Sequence, residues 1–186
     1  MSTTFAAPAV RRGSGVTVEG SVRPPRTVDR YLLAILRLAF AGEFLWAFGD
    51  KLFGWGFATP SERSWLNGGS PTRGFLENSA AGPFQSFYHS IAGDGWTNWL
   101  FMLGLLGIGL ALLFGVGMRV AAIAGAVLLL MMWSVALPPE TNPFLDEHLL
   151  EALALIVLAR FNAGDTLGFG RRWAATELVR RNPILR

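Results

Sequence analysis

Arg37, Glu43, Asp50 and Lys51 stand inside one long apolar run, Tyr31 to Phe53. A spanning helix needs about 20 residues, and this run has that length. Charge near the centre of such a span costs roughly 2.5 to 3.5 kcal/mol per residue on insertion scales. Residues that bear such a cost usually face a bundle interior, pair with one another and mark a site or pathway. Glu43 sits near mid-span, and Asp50 falls on nearly the same face with Trp46 between them. That face, Glu43–Trp46–Asp50, is expected to point inward. Arg37 lies about 9 Å into the run at 1.5 Å per residue, close enough for its head to snorkel to the near surface. Lys51 lies near the far edge, where it is expected to pair with an acid.

A second group lies late in the chain. Glu147, His148 and Glu151 share one helical face by their spacing. Histidine titrates near neutral pH and can pass protons. If the two faces meet, acids, a histidine and a lysine converge at one end of a bundle. The pair His148-x-x-Glu151 reverses the Glu-x-x-His order of di-iron bundles and has no second copy, so no metal is expected. His89 reads as an ordinary surface residue. Gly104-Leu105-Leu106-Gly107-Ile108-Gly109 lies inside an apolar run, so it is not a phosphate loop. Serine and histidine form no recognisable triad.

The elements that must position these groups are helical and membrane-bound. The chain has 186 residues, 52% of them hydrophobic and 16% charged, with a mean hydropathy of +0.39. Those values fit a small polytopic membrane protein. The net charge of +3 lies beside apolar runs, so topology explains it better than nucleic acid does. With no cysteine, a disulfide, a thiolate metal site and a cysteine nucleophile are excluded. Residues 1–29, rich in proline, glycine and small residues, read as a disordered cytoplasmic tail. Spans are expected at about 31–53, 96–114, 119–137 and 144–163. The last reaches full length only if Asn142 caps it and Pro143 opens its first turn. Arginines cluster before span 1, in the turn at Arg119 and after span 4. That distribution predicts both termini in the cytoplasm. The expected fold is an all-α four-helix transmembrane bundle. Small residues at Gly107, Ala111 and Gly115, and at Ala121 and Gly125, are expected to let helices approach. Residues 54–95 form one long loop, in which Thr59-Pro60-Ser61-Glu62, Ser70-Pro71 and Gly82-Pro83 predict short interfacial helices.

Several segments resemble the DoxX/DoxD family. Arg37-Leu38-Ala39-Phe40-Ala41-Gly42-Glu43-Phe44-Leu45-Trp46 and Gly49-Asp50-Lys51-Leu52 look like its first helix. Trp65-Leu66-Asn67-Gly68-Gly69-Ser70-Pro71 looks like the loop of the DoxD-like branch. Gly117-Met118-Arg119, Asp146-Glu147-His148 and Asn162-Ala163-Gly164-Asp165-Thr166-Leu167-Gly168 also fit. The resemblance covers roughly 30–173, leaving 174–186 as a basic cytoplasmic tail. It implies a subunit of a thiosulfate:quinone oxidoreductase in a bacterial inner membrane, passing electrons from a sulfur compound to menaquinone or ubiquinone. It also implies partners: a DoxA-like second subunit, or a sulfurtransferase and a superoxide dismutase. On that reading Glu43, Asp50, Lys51, His148 and Glu151 are the catalytic candidates. Arg37, Trp46, Trp55 and Glu147 are the candidates to hold the quinone. The alternative is a non-catalytic scaffold that recruits redox and thiol-stress enzymes.

Overall fold

The computed structural model describes residues 26–139, 142 and 144–186. Most of the expected N-terminal tail, residues 1–25, lies outside that range, as do Glu140, Thr141 and Pro143. The described residues form helices and turns, with no strand among them. Three helices are long and apolar enough to cross a membrane: α1 (Thr27–Phe53), α4 (Gly95–Phe114) and α5 (Met118–Val135). Between α1 and α4 come α2 (Arg73–Asn78) and α3 (Gln85–Ser90), and α6 (Glu147–Arg160), α7 (Gly170–Ala174) and α8 (Glu177–Arg181) follow α5.

The first long helix carries its own start and stop signals. The N–H of Arg26 donates to the Asp29 carboxylate (2.9 Å), which fixes the first turn of α1 ahead of the expected start at Tyr31. Gly54, in the left-handed conformation at φ +70°, ends it by donating its N–H to the Asp50 carbonyl. The short turn Gly115–Gly117 forces α4 and α5 antiparallel. The four longest helices share one apolar core. Phe40 and Phe44 of α1, Met102 and Leu105 of α4, Leu129 of α5 and Leu155 of α6 are all buried in it. The dominant pairings are α5 with α6 and α1 with α4, whereas α1 touches α6 only lightly. Outward-facing Leu32, Ile35, Leu100, Leu103, Ile123 and Leu153 remain exposed. So much uncovered apolar surface is compatible with a multi-pass membrane protein.

The fourth apolar segment departs from expectation. It forms a 14-residue helix, α6, whose cap is Asp146 and not Asn142. Asp146 accepts the N–H of Leu149 at 3.2 Å. The Asn142 carboxamide instead accepts the N–H groups of Phe144 and Leu145, closing a separate turn upstream. A carboxylate at the positive end of the helix dipole is the stronger cap.

Of the small residues expected to let helices approach, Gly115 and Gly125 do so and Gly107 does not. The closest helix approaches are at Gly109, where an added Cβ would strike Leu45 of α1, and at Gly125, where it would strike Leu155 of α6. Gly115 packs against Gly164. Gly107 has nothing within 4 Å of a Cβ position.

Residues 54–94 fold over one end of the helices. Leu76, Ala80 and Tyr88 bury themselves against Val135 of α5, and Ala81 donates its N–H to the Val135 carbonyl. The Thr59–Glu62 segment makes a single 3-10 turn, Ser61–Arg63. At the opposite end, residues 174–186 fold back onto α5. Arg119 donates to the carbonyls of Pro183 and Arg186, both at 2.8 Å, and Arg186 pairs with Asp165 at 3.1 Å.

Candidate functional site

The expected single constellation divides into three places. Arg37 is the first. It is fully buried and donates to the carbonyls of Leu112, Leu113 (2.9 Å), Thr166 (3.3 Å) and Leu167 (2.8 Å). Leu112 and Leu113 belong to the last turn of α4, whose carbonyls have no partner within the helix. The guanidinium therefore ties α1 to the negative end of α4 and to the segment beyond α6. It stands about 20 Å along α1 from Asp50 at the helical rise. The expected snorkelling is replaced by buried carbonyl contacts, and Arg37 is no neighbour of the other candidates.

The second place is where α1 lies lightly against α6. Glu43 lies there, exposed, and not in the bundle interior as expected. The reason is the pairing of helices: α1 buries its Phe40–Phe44 face against α4 and leaves the Glu43 face lightly covered. Glu43 is near enough to Glu151 for their charges to interact, and Glu147, Asp146 and His148 act on the same carboxylate. His148 Nδ1 sits 2.7 Å from Asp146 Oδ2, a largely buried pair. The carboxylate that caps α6 thus also orients the imidazole. Trp46 is half exposed, with Trp55 and Phe57 at ring-centroid distances of 5.1 and 5.0 Å. Trp55 also lies over Gly49, where a Cβ would overlap the indole. Among the described residues no group of three histidine or acidic side chains converges on a metal position.

The third place is a cavity of about 720 Å³ under the 54–94 segment, between α1, α4 and α5. Lys51 lines it, its ammonium 5.9 Å from the Phe101 ring centre. The expected pairing of Lys51 with an acid of α6 is not made among the described residues. Asp50 is adjacent in sequence, 1% exposed, and accepts the N–H of Phe57 at 3.3 Å through Oδ1. Its Oδ2 has no hydrogen-bond partner. The polar lining of the cavity comprises Lys51, Arg63, Thr59, Ser70, Thr72, Thr97 and Tyr88, with no acid among the described lining residues. Phe101, Leu105, Leu128 and Met131 supply apolar wall.

Thr97 and Asn98 were not among the expected site residues. Asn98 Oδ1 accepts from Ser70 Oγ (2.9 Å), Thr72 Oγ1 (2.7 Å) and Thr72 N (3.2 Å), pinning the loop to the first turn of α4. Thr97 is a lining residue of the cavity, and its Oγ1 is buried away from that space with no partner. The available signal was a Thr-Asn pair at the head of an otherwise apolar run. Other quoted motif residues shape backbone. Gly69 lies so close to the Arg63 carbonyl that a Cβ would overlap it, and Asn67 Nδ2 donates to the Ser61 carbonyl at 2.8 Å. No family model, curated protein or solved structure matches the chain.

Proposed function

We propose that the chain is the membrane subunit of a quinone-linked oxidoreductase of the DoxX/DoxD kind. In this reading α1, α4, α5 and α6 form a four-span bundle in a bacterial inner membrane. Both termini face the cytoplasm, which agrees with Arg26, Arg30, Arg119, Arg160, Arg171 and Arg172 at the terminal end against Arg63 and Arg73 at the loop end. The loop-capped cavity carries the functional reading. It is mostly apolar, it is of ligand size, and Lys51 lines it together with Arg63, Thr59, Ser70 and Thr72.

Lys51 is the group that would hold a quinone ring, donating a hydrogen bond to a carbonyl oxygen. A bound quinone supplies a two-electron, two-proton acceptor. The electrons come from a sulfur compound such as thiosulfate on a partner subunit, because a chain without cysteine cannot run thiol chemistry itself. Asp146 holds His148 in place as a proton carrier where α1 lies against α6, with Glu43 and Glu151 beside it. The same absence of cysteine favours a second reading, a scaffold for a sulfurtransferase or a superoxide dismutase. That reading requires stoichiometric co-purification of such an enzyme with no quinone bound.

The test is thiosulfate-dependent quinone reduction in membranes holding the subunit and its partner. Lys51→Ala removes one charge-assisted hydrogen bond and is expected to lower the rate about tenfold. Undiminished reduction by Lys51→Ala overturns the cavity as the quinone site.

A further inference from the structure

The cavity has a neighbour beyond the loop. A second, open furrow of about 390 Å³ runs between α4 and α5 toward the terminal end of the helices. Gly104, Ile108 and Ala124 line both spaces, so the two adjoin along the α4–α5 seam. The furrow exists because α4 and α5 present small residues to each other. Gly107 and Ala111 on α4 face Ala121 on α5, and Trp173 and Leu185 lie at its far end. From Trp96 to Ala111 the combined space follows α4 for about 22 Å at the helical rise, most of a hydrocarbon core about 30 Å thick. Its one end is polar, lined by Lys51, Arg63, Thr59, Ser70 and Thr72. The rest is lined by apolar and small residues.

We infer that the α4–α5 furrow holds the long polyisoprenoid tail of a quinone whose ring occupies the loop-capped cavity. The inference rests on the quinone reading above and adds a chain-length requirement to it. The occupant is an amphiphile because the polar groups sit at one end only. It is a single long chain because the furrow has one track, and two acyl chains would need two. Lipid is as apolar as the furrow, so transfer alone gives the tail no preference. Its contribution comes from close packing against the walls.

The experiment uses the full chain in lipid nanodiscs and two probes of each ring type, benzoquinone and naphthoquinone: a tail-less form and a long-tailed form. Gly107→Leu fills the furrow where nothing lies within 4 Å of the new Cβ, and it replaces glycine in a helix with a better helix former. Gly42→Leu, equally open and on α1, is the control. Each variant is compared with wild type in the same lipid, so tail partitioning cancels. Gly107→Leu is expected to weaken long-tailed binding about tenfold while leaving tail-less binding unchanged, with Gly42→Leu altering neither. Unchanged long-tailed binding in Gly107→Leu overturns the furrow alone, and equal loss of both probes does the same, since it shows damage not specific to the tail. Failure of wild type to bind either form overturns the ring site and the furrow with it.

Discussion

Arg37 shows how much a single side chain can organise when its neighbours are backbone carbonyls. It closes the last turn of α4 and the 166–167 segment at once. Replacing it with methionine keeps most of the volume but leaves several carbonyls without donors. Arg37→Met is expected to cost about 3 kcal/mol, read as lower resistance to unfolding in detergent. Arg37→Lys is expected to recover little, because an ammonium cannot fork among four carbonyls. Retention of wild-type stability by Arg37→Met would show that these contacts contribute nothing. The residue types at the site were legible in the sequence, but their partners were not. Helical spacing put Glu43, Trp46 and Asp50 on one expected inward face of α1, whereas Glu43 and Trp46 are exposed and Asp50 is buried. Which face meets α4 and which meets α6 depends on packing between distant segments, and that moved Glu43 from an expected interior to an exposed position near Glu151. Lys51, one position beyond Asp50, turned toward the cavity for the same reason.

At the scale of elements, α1, α4 and α5 were readable from length and apolarity within a few residues. The start of α6 was not, because two good caps, Asn142 and Asp146, compete within one turn's length and each found its own backbone donors. Glycine spacing was also ambiguous. Gly104-Leu105-Leu106-Gly107-Ile108-Gly109 offers small residues on more than one face of α4, and only the packed structure shows which are contacts. Gly109 meets Leu45, whereas Gly107 faces the furrow. Gly109→Leu is therefore expected to destabilise by about 1–3 kcal/mol through overpacking, while Gly107→Leu leaves stability unchanged or slightly raised. Thermal unfolding of the two variants side by side checks this, and equal unfolding temperatures would contradict the assignment of faces.

For the whole molecule, composition pointed to a membrane protein, and the three long apolar helices agree with it. The cavity was invisible beforehand because it arises from the loop between Gly54 and Asp94 folding over a furrow that α4 and α5 leave open. Orientation is tested directly because the chain lacks cysteine, so a single introduced thiol has no background. Glu62→Cys in the loop is expected to react with an impermeant maleimide in intact cells, and Arg181→Cys only after permeabilisation. The reverse pattern would invert the proposed topology. The central claim, a quinone held under the loop by Lys51, is tested most directly by mass spectrometry of lipid extracted from the purified protein. Wild type is expected to retain menaquinone or ubiquinone, near one per chain, and Lys51→Ala to retain about a tenth as much. Equal amounts in both proteins, or none in wild type, would contradict it.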